Sequence, residues 1–76
     1  MNHVHDILNL LKRNPAGFKV EDLVSELNHR FGKDARYTTC GNHSLDHQEA
    51  INFVIDRQKA LYRDGKIYIN AAIESC

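Results

Sequence analysis

The stretch Asp34-Ala35-Arg36-Tyr37-Thr38-Thr39-Cys40-Gly41-Asn42-His43-Ser44-Leu45-Asp46-His47 reads as a short strand that runs into a cysteine, a Gly-Asn turn and the start of a helix. It decides the fold class because it sets a strand between helical segments. Ala35 to Cys40 is rich in β-branched and aromatic residues, which favour an extended chain. Side chains alternate across a strand, so Ala35, Tyr37 and Thr39 share one face and Arg36, Thr38 and Cys40 the other. Asp46 and Glu49 have the spacing of a capping box, with Asp in the usual Ser or Thr place, so a helix begins near Asp46. Ala50, Ile51 and Val54, joined by Phe53 and Ile55, turn inward. This broad apolar face predicts the most buried helix of the chain.

Downstream, Leu61-Tyr62-Arg63, Asp64-Gly65 and Lys66-Ile67-Tyr68-Ile69 form the clearest local pattern. Asp-Gly between two β-prone runs is a two-residue type I′ hairpin. Closing it there pairs Arg63 with Lys66, Tyr62 with Ile67, Leu61 with Tyr68 and Ala60 with Ile69. Ala60, Tyr62, Ile67 and Ile69 then share a face suited to the core. Upstream, Val4, Ile7, Leu8 and Leu11 recur at helical spacing, with Asn2 as the predicted N-cap and Asn14-Pro15-Ala16-Gly17 as the stop. Phe18 and Val20 read as a short apolar lead-in to a second helix over about Glu21 to Arg30. That helix buries Val20, Leu23, Val24, Leu27 and Phe31, and Gly32 follows it as a left-handed cap residue. The order is helix, helix, strand, helix, hairpin. It predicts an α+β fold with three helices packed on a small three-stranded antiparallel sheet; a winged-helix-like arrangement is the alternative. The 76 residues are expected to form a single domain over 1–76, with the tail 71–76 loosely packed.

Ten basic and ten acidic residues cancel, which argues against a nucleic-acid binder working through bulk electrostatics. No apolar run has the length of a bilayer span. The first dozen residues, Asp6 among them, do not have the pattern of a signal peptide. The expectation is a cytoplasmic protein that uses no membrane, whose thiols stay reduced. A disulfide between Cys40 and Cys76 is the alternative, since the chain has two cysteines.

The residues that could carry chemistry are histidines and cysteines. His3-Val4-His5 is an H-x-H pair, and both rings can grip one ion only if the segment is extended, because helical positions i and i+2 point apart. Two solvated histidines are the plainer reading. A histidine at position three, behind a free Met1 amine, also suits square-planar Cu(II) or Ni(II). Cys40 stands at the end of a strand, beside a turn, where ligands commonly sit; taken alone, it reads more readily as a small buried hydrophobe. His43 and His47 have the i, i+4 spacing of helical ligands, yet Asp46 is the better cap, which leaves His43 in the loop and His47 exposed in the first turn. No H-E-x-x-H or C-x-x-C motif is present. A Cys-His thiol enzyme lacks an orienting third group, so an enzyme is not expected.

Taken together, several of these pieces resemble the YecH-like family, small bacterial proteins to which metal binding is ascribed. His3-Val4-His5-Asp6-Ile7-Leu8 is similar to its N-terminal His-x-His-x-hydrophobic-Leu segment. Phe31-Gly32-Lys33-Asp34-Ala35-Arg36-Tyr37-Thr38-Thr39-Cys40 resembles its Phe-Gly-x-x-Ala-Arg-Phe-His-Thr-Cys stretch. Asp46 through Val54 is similar to the capped helix that follows, and Ile73-Glu74-Ser75-Cys76 to its tail. The resemblance covers almost the whole chain in order and spacing. It implies a metal site of His3, His5, Cys40 and Cys76, a mixed nitrogen and sulfur set suited to Zn(II), with His43 and His47 as reserve ligands. Two departures stand out. Thr38 occupies the place of the family's His, and this sequence stops at Cys76 where the family tail continues to a histidine. The reading is a small metal-binding protein. The alternatives are a nucleic-acid or protein-interaction module using Arg57, Lys59, Arg63 and Lys66, and a structural homodimer with inert thiols.

Overall fold

The computed structural model describes residues 2–41 and 43–70. Its elements run β1 (Asn2–His3), α1 (Val4–Lys12), β2 (Phe18–Lys19), α2 (Val20–Phe31), β3 (Tyr37–Thr38), α3 (His47–Asp56), β4 (Ala60–Arg63) and β5 (Lys66–Ile69). The fold is α+β, with three helices and two small sheets.

The single three-stranded sheet expected from sequence divides in two. The hairpin β4–β5 takes its third strand from β2, in the order β2-β5-β4, all antiparallel. The Ala35–Cys40 segment does not join it. Only Tyr37 and Thr38 are strand, and they pair in parallel with β1, Asn2 with Tyr37 and His3 with Thr38. A strand of two residues is too short for its alternation to be read, and a parallel partner over thirty residues away leaves no local turn signal.

The hairpin itself closes in the predicted register, Ala60 with Ile69 through Arg63 with Lys66. Asp64 (φ 53°) and Gly65 (φ 79°) both take the left-handed region that a type I′ turn demands. Ala60 and Ile67 of the predicted inner face are buried, but Tyr62 is 58% exposed. It lies near the hairpin tip, beside a surface groove shared with Lys19, Val20, Glu21 and Val24 rather than under a helix.

The core is made by Val4, Ile7, Leu10 and Leu11 of α1, Leu23 and Leu27 of α2, and Ala50, Ile51 and Val54 of α3, with Tyr37, Ala60 and Ile67. α3 is therefore not more buried than α1, which packs against both β5 and α3. Its N-cap is His3, one residue beyond the predicted Asn2. At the other end of α1, Gly17 (φ 88°) turns the chain, its amide donating to the Asn14 carbonyl at 2.8 Å. The Tyr68 ring lies so close that a Cβ on Gly17 would stand 2.6 Å from it.

Candidate metal centre

His3 has extended dihedrals (φ −114°, ψ 149°) and ends β1, while Val4 begins the helix and points into the core. This change of backbone within one H-x-H triplet removes the helical objection to chelation. The His3 and His5 rings come together, with centroids 4.2 Å apart. His3 also caps the helix. Its Nδ1 accepts the backbone N–H of His5 at 3.1 Å, and the Asp6 carboxylate accepts the backbone N–H of His3 at 3.2 Å. A nitrogen that accepts carries no proton, so in the neutral ring the proton is on Nε2. That nitrogen faces the Cys40 sulfur at 3.9 Å.

Cys40 is presented by a loop pinned at its neck. Tyr37 and Leu45 exchange backbone hydrogen bonds of 2.8 and 2.9 Å across an isolated bridge. The Arg36 guanidinium donates to the hydroxyl and carbonyl oxygens of Ser44 at 3.2 and 3.1 Å. Inside the loop, the buried Thr39 hydroxyl accepts the Gly41 amide at 3.0 Å. Parallel pairing then sets His3 beside Thr38, and in the turn that follows, Thr39 is buried while Cys40 is exposed. One donor atom each from His3, His5 and Cys40 lie within 4.8 Å of one another.

A tetrahedral zinc ion with bonds of about 2.0–2.3 Å holds its donors about 3.3–3.8 Å apart. The three side chains would close by roughly an ångström to meet that spacing, which side-chain rotation supplies. Burial, helped by the charges of His3, Lys59 and Lys12, lowers the His5 pKa below its ordinary value, against the opposing charge of Asp6. A neutral imidazole is the form that coordinates a metal. Cys40 is solvent-exposed at residue level, unlike the buried-hydrophobe reading, and it is disulfide-bonded in this structure. The chain's other cysteine, Cys76, lies outside the described residues. So does Met1, and with it the amine that the Cu(II) or Ni(II) reading requires.

The reserve ligands do not join the cluster. His43 is exposed; its ring folds back over Gly41 and stands 6.4 Å from the Phe53 ring. His47, expected to be solvated, is only 7% exposed. Its Nε2 donates to the Gly32 carbonyl at 3.0 Å, and its Nδ1 accepts the Tyr37 hydroxyl at 2.8 Å. Both nitrogens are thereby engaged, and His47 is a structural residue joining the end of α2, β3 and the start of α3. The Asp46–Glu49 capping box forms as predicted and orients this first turn. Burial, with a smaller contribution from Asp6, pushes the Tyr37 pKa up to about 12. Among the basic residues of the interaction-module reading, Lys59 is 7% exposed and Arg57 stands over the Phe53 ring.

No described helix is long and apolar enough to cross a membrane. Comparison with curated proteins and with solved structures gives no match. Residues 2–76 match the family described as "Protein of unknown function (DUF2492)", and the chain belongs to that family.

Proposed function

We propose that this is a small metal-binding protein, not an enzyme, that holds Zn(II) or a similar thiophilic cation in its reduced form. The observation that carries the reading is the convergence of His3, His5 and Cys40 from opposite sides of the β1–β3 pairing. These are borderline-soft nitrogen and sulfur donors, the set zinc prefers over oxygen-seeking cations. Cys76 is the fourth ligand in the YecH-like pattern that the sequence resembles; a water molecule is the alternative. Metal bound there would tie the amino-terminal strand to the Cys40 loop, a useful staple for a chain with so small a core.

The test is native mass spectrometry with elemental analysis on the full, untagged chain purified under reducing conditions. Wild type should carry one zinc per chain, as should His43→Ala, whereas Cys40→Ser should carry none. Absence of metal from the reduced wild type, with the fold intact, would sink the proposal.

A further inference from the structure

Three cations stand in one line across the three-stranded sheet. Lys19 of β2 pairs with Lys66 of β5, and Lys66 pairs with Arg63 of β4. Residues directly opposite in antiparallel strands share a face. The three side chains therefore leave the sheet on one side, over about 9.5 Å of its width. Like charges set opposite one another destabilise a sheet. Among the described residues, no carboxylate forms an ion pair with any of the three. Glu21 and Asp64 border a groove with Lys19 and Lys66, but neither comes within ion-pair distance.

A second row lies beside the cations on the same face. Side chains alternate along β5, so Lys66 and Tyr68 point away from the side on which Ile67 is buried in the core. Tyr68 pairs with Leu61, and its ring lies against Gly17. On this outer face Lys19, Leu61 and Arg63 are exposed, while Lys66 and Tyr68 are half-buried.

We propose that this outer face binds single-stranded nucleic acid, with phosphates on Lys19, Lys66 and Arg63 and a base on Tyr68. A lone anion would meet only part of so wide a row, whereas a phosphate backbone supplies successive charges that relieve its repulsion. Cations beside an aromatic ring on an open surface are the combination that single strands use, because their bases expose the faces that a duplex hides. Arg63 and Lys66 belong to the basic set read from the sequence; Lys19 joins them, in place of the buried Lys59 and of Arg57, which stands over Phe53. The zero net charge supplies no long-range attraction, so binding is local and strongly salt-dependent. For three phosphate contacts, the logarithm of the association constant should fall against the logarithm of salt concentration with a slope of about −2. The face is separate from the metal centre, whose ligands come from other elements.

The experiment titrates the untagged full chain into a fluorescein-labelled oligothymidylate of about twelve nucleotides, within the site sizes of single-strand binders. Anisotropy reads binding at several salt concentrations, and circular dichroism confirms that each variant is folded. Lys19→Gln, Lys66→Gln and Arg63→Gln should each weaken binding and make the salt slope shallower by about 0.7. Tyr68→Leu keeps an apolar side chain over Gly17; it should weaken binding about fivefold or more, the scale of one stacked base, and leave the slope unchanged. No binding at low salt would overturn the proposal. So would equal affinity for a duplex of the same length or for polyglutamate, or a folded variant with all three cations replaced that still binds as wild type does.

Discussion

The His3 Nε2 lies 3.9 Å from the Cys40 sulfur, although 37 positions separate the two residues. The other nitrogen of the same ring caps α1 by accepting the His5 amide. The two jobs compete for one proton. A neutral imidazole that coordinates through Nε2 carries its proton on Nδ1, which can then no longer accept. Metal loading through Nε2 therefore exchanges a cap hydrogen bond for a coordinate bond.

This separates the two roles of His3 by substitution. His3→Asn supplies a good N-cap without a metal ligand; it should leave the thermal midpoint of the metal-free protein nearly unchanged and abolish zinc binding. His3→Ala should lose both and cost about 1 kcal/mol of stability, the usual value of a cap. Chemical denaturation and zinc titration of the two variants side by side check this. Equal zinc affinity in His3→Asn and wild type would remove His3 from the site.

Thr38 offers the converse experiment. It is the register partner of His3 in the parallel pair and is two residues from Cys40. A Thr38→His substitution should place a third imidazole beside the cluster. In a Cys76→Ser background it should raise zinc affinity by about tenfold or more, the scale on which even outer-shell changes register. Competition against a calibrated chelator reads the difference, and no gain would mean that the β1–β3 face does not define the ligand sphere.

The buried His47 should matter for folding and not for metal. Its removal in His47→Ala takes the imidazole partner from the buried Tyr37 hydroxyl and leaves the Gly32 carbonyl with the Ala35 amide. An unsatisfied buried group costs about 1–3 kcal/mol. Urea unfolding should show that loss, while zinc stoichiometry under native conditions stays at one per chain. Loss of metal from a folded His47→Ala protein would contradict the assignment.

Tyr37 predicts an alkaline limit to stability. Its folded pKa is raised from 10.0 to about 12, so the folded state holds the phenolic proton after the unfolded chain has lost it. That contribution is fully present below pH 10 and is lost as pH rises toward 12. At about 1.36 kcal/mol per unit it amounts to roughly 2–3 kcal/mol. Tyr37→Phe cannot titrate and should show a shallower decline between pH 10 and 12 in denaturant unfolding. Parallel curves for the two proteins would refute the linkage.

Gly17 should tolerate no side chain. An alanine there combines a positive φ of 88° with a Cβ 2.6 Å from the Tyr68 ring. Gly17→Ala should destabilise by more than about 1 kcal/mol, since alanine in this conformation reverses the usual entropic gain. A thermal melt checks the direction.

By itself the sequence determined whatever depends on neighbours along the chain. The Asp64-Gly65 turn set the hairpin register residue by residue, because a type I′ loop leaves one way to pair its flanks. Asp46 and Glu49 set the start of α3, and helical spacing marked Ile7, Leu11, Leu23, Leu27, Ile51 and Val54 as core. The H-x-H triplet and Cys40 were visible as metal-type residues, and a whole-chain resemblance grouped them. Tertiary structure alone decided how they meet. Two-residue strands carry no readable period, so neither the β1–β3 parallel pair nor the β2–β5 pair could be seen in advance. His47 looked solvated because its partners, Tyr37 and the Gly32 carbonyl, lie 10 and 15 positions away. His3 looked solvated until β3 gave its strand a partner and Cys40 came within 3.9 Å. Local chemistry writes turns, caps and apolar stripes into the chain; contacts between distant segments exist only once the core has closed and brought those segments side by side.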